Sequence, residues 1–198
     1  MNYPLNIFSI DPGPKESTFV RCTFTGETSL MGQPLVISGV GSIDNEAMLL
    51  KLNDCFGATI VCEEMKFYGK DMNAGASCFD TARWSGRFEQ KCAERGLKME
   101  FMARATIKSF VAYSVRANDS AVRAALIGRY GEPGKRSAPG VLYGIAGHAW
   151  AALAVGVAWM EQLKEREGQS ARLNTIHRPD SVLLSRPSCE AVAGGKNL

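Results

Sequence analysis

Only two histidines, His148 and His177, occur in the 198 residues, and none of the six cysteines forms a C-x-x-C pair. That spacing leaves no zinc-finger arrangement. Cys22, Cys55, Cys62, Cys78, Cys92 and Cys189 read instead as free thiols in a reducing compartment. Long apolar runs are also missing. No window approaches the roughly 20 apolar residues of a membrane span, and Met1 to Ile10 has neither the basic flank nor the long apolar stretch of a signal peptide. The expectation is a cytoplasmic protein. Charge of one sign is scarce too. A net charge of +3 is compatible with nucleic acid but does not argue for it. No internal repeat is present. What remains is ordinary for a globular chain, with 45% hydrophobic and 22% charged residues, enough for one domain with a real core.

Leu5 to Ile10 is a short apolar run stopped by Asp11-Pro12-Gly13-Pro14, a strong turn signal. Ser17 to Thr25 reads as a second strand and Leu35 to Val40 as a third, with Gly39 and Gly41 at its end. Asn45 to Asn53 reads as a short helix, and Ala58 to Cys62 as a buried strand ending in Glu63-Glu64. Ala74 to Arg95 is the longest helical candidate, with Phe79, Ala82, Gly86 and Cys92 on one side and Gly96 as its stop. Leu97 to Met102 reads as a fifth strand, and Thr106 to Tyr113 as a short helix. A further helix runs to Tyr130, with capping residues in Asn118-Asp119-Ser120. Residues 132–140 read as a mobile basic loop, and Ala146 to Lys164 as an apolar helix packed on the sheet. Three strands in a meander, then alternating helices and strands, predict an α/β domain with a mixed five-stranded sheet flanked by helices. Residues 1–165 form that domain, and residues 166–198, poorer in apolar side chains, a partly disordered tail.

Two acids follow strands directly: Asp11 the first and Glu63 the fourth. If those strands are neighbours, both carboxylates emerge at one sheet edge, a rigid base of oxygen ligands for hard cations. Phosphodiester hydrolysis uses two such ions roughly 4 Å apart. Each acid also has a plainer reading, Asp11 as a turn former before Pro-Gly and Glu63 as a solvated strand end.

Ser9-Ile10-Asp11-Pro12-Gly13 resembles the first-strand motif of RuvC-like Holliday junction resolvases. Val61-Cys62-Glu63-Glu64 with Phe67-Tyr68-Gly69-Lys70 is similar to that family's second acidic motif. Ala82-Arg83-Trp84-Ser85-Gly86-Arg87 sits where the family has its long Gly-containing helix, and Gly147-His148-Ala149-Trp150-Ala151-Ala152-Leu153-Ala154-Val155 looks like its C-terminal helix motif. The likeness spans residues 5–163 and is greatest to phage-encoded members. It implies a ribonuclease H-like fold, a site of four metal-binding residues for Mg²⁺ or Mn²⁺ (two ions), a homodimer, and nicking of four-way junctions that leaves 5′-phosphate and 3′-hydroxyl ends. The setting would be the cytoplasm of a bacterial or phage-infected host. Asp11 matches the first acid. Glu63 matches the second; alternation along a strand turns only one of Glu63 and Glu64 toward a common site, and Glu63 follows the apolar run directly. His148 fills the third slot, as a ligand or a proton relay. Ala151 stands where the pattern has Asp and can ligate nothing. Asp119 is the best substitute, with helix capping as its other reading.

Lys66, Lys70, Arg83 and Arg87 lie near the second acidic motif, and the two arginines, four apart, share a helix face. With Lys135 and Arg136 of the basic loop they are candidate phosphate contacts, or else solubilising charges. Phe67 and Tyr68 are candidates to wedge or stack at an opened junction, with Phe67 as readily a core residue. Ala151 keeps open a non-catalytic junction-binding protein on the same fold. A nuclease acting on RNA–DNA hybrid or single strands is the other alternative. A sugar-kinase-like ATPase also begins with an Asp near a Gly-rich turn, but no second phosphate-binding glycine loop is present.

Overall fold

The structure is a computed structural model that describes residues 4–26, 35–65 and 75–176. Period-two alternation explains its layering. Along the first strand, Ile7 packs into one hydrophobic cluster and Phe8 and Ile10 into a second. Along the fourth, Val61 joins the first cluster, and Ile60 and Cys62 the second. The sheet is therefore buried on both faces.

Strands β1 (Leu5–Asp11), β2 (Glu16–Phe24) and β3 (Leu35–Asp44) form an antiparallel meander. Helix α1 (Asn45–Leu52) leads to β4 (Thr59–Glu64), α2 (Ala76–Glu94) and β5 (Met99–Ala103). The sheet order is β3-β2-β1-β4-β5, with β4 parallel to β1 and β5 parallel to β4. Helices α3 (Arg104–Ala112), α4 (Asp119–Tyr130) and α5 (Ala149–Ile176) follow, with a small hairpin of β6 (Gly134–Lys135) and β7 (Ala138–Pro139) before α5. Helices α1 and α2 cover one face, while α3, α4 and α5 cover the other. This is the mixed five-stranded α/β sheet expected from the sequence.

Four details differ from the sequence reading. First, β3 runs on through Gly39 and Gly41 to Asp44, because these glycines leave room for the Phe19 ring, which stacks on Phe8 at 5.1 Å. Second, α2 buries Thr81, Ser85, Phe88 and Cys92, while Phe79 is exposed. The two hydroxyls belong on the inner face because each donates to the carbonyl one turn back, Thr81 to Ser77 and Ser85 to Thr81. Third, residues 132–140 hold a hairpin with Lys135 and Arg136 exposed at its turn. Fourth, α5 begins at Ala149, since Gly144 and Gly147 have positive φ, and it continues to Ile176, into the stretch expected as tail. Among the described residues, no helix is long and apolar enough to cross a membrane.

Helix α5 lies tight against the central strand. A Cβ on Gly156 would sit 3.1 Å from Ser9 Oγ, and Ser9 is itself buried, donating to the Val20 carbonyl at 3.2 Å. This close approach fixes the start of α5 relative to the end of β1.

Candidate active site

Register places the two acids. Ile10 pairs with Cys62 across parallel β1 and β4, so Asp11 and Glu63 occupy the next step on neighbouring strands. Alternation turns both toward the face covered by α3, α4 and α5, and turns Glu64 to the opposite face. The topology needed to bring Asp11 and Glu63 together is therefore present.

The turn after Asp11 is held by groups that sequence reasoning missed. Asn45, fully buried at the start of α1, donates from Nδ2 to the Gly13 carbonyl (3.0 Å) and accepts at Oδ1 from Ser17 Oγ (2.6 Å). Its backbone N–H donates to the Lys15 carbonyl at 3.0 Å, and the Gly13 N–H donates to Ser17 Oγ at 3.2 Å. A Cβ on Gly13 would run into the Glu16 carbonyl oxygen, so this turn has no room for a side chain there.

His148 lies one residue before α5, not inside it, and its carbonyl accepts the N–H of Ala152 at 3.1 Å. Its Nδ1 is 3.0 Å from Asp11 Oδ2, an arrangement that puts the proton on Nδ1 while the carboxylate is ionised. Burial first, and then the charge of Glu63, push the Asp11 carboxyl up to about 6 against the opposing pull of His148 and Arg104.

Arg104, the first residue of α3, joins the rest of the site. Its Nη1 lies 3.0 Å from Glu63 Oε1 and its Nη2 2.8 Å from Asp119 Oδ1. Asp119 is free for this because Asn118 caps α4 instead, accepting from the Ala121 N–H at 2.8 Å. The sequence carried a usable signal for Arg104. It directly follows β5, as Asp11 and Glu63 lie at the ends of β1 and β4 (Glu63 one residue before the last), and the three strands are parallel neighbours. Arg123 was also missed; it stacks over Trp150 at 4.9 Å.

Thus Asp11, Glu63, His148 and Asp119 converge, through His148–Asp11 on one side and Arg104 on the other. Two cavities meet at Asp11. One of about 490 Å³ is lined by the residue 11–16 turn, Thr18, Ser42 and His148. The other, about 310 Å³, is lined by Asp11, Arg104, Asp119, His148 and Ala151 among others. Among the described residues, no three His, Cys, Asp or Glu side chains are drawn close enough to enclose a metal ion. The donor set nevertheless suits a hard divalent ion in an open site. Asp11 and Glu63 offer oxygen atoms on a rigid base, and Mg²⁺ commonly takes one or two carboxylates with water and phosphate oxygens completing its shell.

The remaining sequence candidates lie apart from this constellation or outside the described residues. Arg87 on α2 makes a two-pronged pair with Glu46 (3.0 and 3.3 Å) and stacks over Trp84 at 4.0 Å. Arg83 pairs with Asp80 at 3.5 Å and is largely exposed. Lys66, Phe67, Tyr68 and Lys70 fall outside the described residues, as do His177 and Cys189. Cys22, Cys55, Cys62 and Cys92 are buried free thiols and Cys78 is half-buried. Burial raises the pKa of Cys22, Cys55, Cys62 and Cys92, which makes them poor nucleophiles.

No protein-family model matches the sequence, and no curated protein sequence does. Solved structures do. Thermus thermophilus RuvC is similar over 81% of this chain and 96% of its own, at 15% identity and a TM-score of 0.62. The same protein in complex with a Holliday junction substrate aligns over the same shares with a TM-score of 0.58. The yeast mitochondrial Holliday junction resolvase aligns over 86% of this chain and 87% of its own, at 10% identity and a TM-score of 0.52. With its five-stranded mixed sheet and flanking helices in the same arrangement, the chain has a RuvC-like, ribonuclease H-like fold.

Proposed function

We propose that this chain is a divalent-metal-dependent endonuclease that nicks branched DNA, with four-way junctions as its substrate. The observation carrying the proposal is the placement of Asp11 and Glu63 on one face at the ends of neighbouring parallel strands, with His148 on Asp11. Its support is the fold shared with two Holliday junction resolvases, one of them solved with a junction.

Asp11 and Glu63 would hold Mg²⁺ or Mn²⁺, which when bound supplies Lewis-acid stabilisation of phosphate charge and a more acidic water. The protein's own groups do the rest. The Asn45–Ser17–Gly13 network fixes the turn behind Asp11, so its carboxylate is presented without reorganisation. Largely exposed, His148 can exchange a proton with water or a leaving oxygen through Nε2, while Nδ1 stays on Asp11. Exposed Lys135 and Arg136 would add phosphate contacts to the surrounding duplex. Two symmetric nicks need two sites, so the working unit is a homodimer.

Ala151 favours a second reading, junction binding without cutting. The test compares a labelled four-way junction with linear duplex, RNA–DNA hybrid and single strands, in Mg²⁺ and in Mn²⁺. Preferential nicking of the junction is the expected result. Preferential cutting of the hybrid or single strand would overturn the substrate assignment. Tight junction binding with no cleavage in either metal would establish the second reading.

A further inference from the structure

Ala151 lies on the wall of the 310 Å³ cavity that also holds the Arg104 guanidinium. A methyl group donates nothing to a cation, so this position supplies no oxygen ligand. Two of the three acids of the site are already engaged. Glu63 Oε1 and Asp119 Oδ1, from β4 and α4, meet the two terminal nitrogens of Arg104 at 3.0 and 2.8 Å. We propose that Arg104 is the resident cation of this site, its guanidinium filling the place between Glu63 and Asp119 that a second divalent ion would need, so that the chain takes one ion per site. This inference rests on the nuclease reading but is tested without it.

Three considerations carry it. A guanidinium is charged at every accessible pH, and its planar fork matches two carboxylate oxygens, which an ammonium does not. A second ion in the cavity would have to expel that fork from both acids, with no donor at Ala151 to offset the loss. Charge balance points the same way. Asp11, Glu63 and Asp119 against Arg104 leave two negative charges, which one divalent ion neutralises. Two ions would leave the site with a net positive charge until a phosphodiester binds, and a smaller one after it. Arg104 also keeps N–H donors beyond the two in use, enough to reach a phosphate oxygen while holding Glu63. The departure at Ala151 and the presence of Arg104 are on this view one feature: a fixed organic charge in place of a ligand and its metal.

The test counts Mn²⁺ bound to the protein without DNA, by electron paramagnetic resonance titration into the millimolar range. Wild type should bind one ion per chain, and Asp11→Asn none in that range. The double variant Arg104→Ala with Ala151→Asp, checked for an unchanged circular dichroism spectrum, should bind two. Zero or two ions on the wild type, or a folded double variant that stays at one, overturns the inference. If the double variant does not fold, the wild-type count decides alone. Absence of cleavage with one ion bound would instead strike the nuclease reading and leave this one standing.

Discussion

Asp11 sits at a cost to the fold. Its carboxyl is raised to about 6 from the ordinary aspartate value of 3.8, first by burial and then by Glu63. For an acid, a folded pKa above the unfolded one means that the native state holds the proton more tightly. The stabilisation from that proton is full below about 4 and is lost as pH rises through about 6, on the order of 2–3 kcal/mol in all. In metal-free buffer, Asp11→Asn should therefore be more stable than wild type at pH 8 and gain little at pH 4. Urea unfolding at the two pH values checks this; an equal or lower stability of the variant at pH 8 would contradict it. Asn45 makes the opposite contribution. Replacing it by Ala strips the Gly13 carbonyl and the Ser17 hydroxyl of their buried partner and should cost about 1–3 kcal/mol. Thermal unfolding measures that loss, and a variant as stable as wild type would remove the network from the account.

Among the elements, the meeting of α5 with β1 is the joint on which the site depends, because it carries His148 to Asp11. Gly156→Val would force branched carbons into Ser9, where even a Cβ already approaches at 3.1 Å. Overpacking of this kind costs about 1–3 kcal/mol, and the shift it imposes on α5 should weaken cleavage beyond the loss of stability. Junction cleavage measured well below the melting temperature separates the two effects. The strands and most helices were legible because apolar periodicity and turn residues are local signals, and Asp11 and Glu63 were legible because each ends an apolar run. Other parts were hidden for physical reasons. Gly39 and Gly41 look like breakers until Phe19 is seen over them. The inner face of α2 carries Thr81 and Ser85, which a hydrophobic pattern leaves out. Arg104 and Asn45 act through partners 41 and 32 residues away; Arg104 is announced only by its place directly after a strand, and Asn45 by nothing local.

At the scale of the molecule, the sheet divides its work between faces. The face under α1 and α2 is plain core, with Phe8, Ile10, Phe19 and Phe88. The face under α3, α4 and α5 ends in the carboxylates, the imidazole and the guanidinium. Such a division lets a rigid scaffold present charged groups at one rim. The central claim is that this rim cuts junction DNA through Asp11, and the direct measurement is junction nicking and junction binding by wild type and Asp11→Asn side by side in Mg²⁺. The account predicts paired symmetric nicks by the wild type, and a variant that binds the junction comparably but cuts at least about a thousandfold more slowly, the several kcal/mol expected from losing a metal ligand. Equal nicking by the two proteins would contradict it.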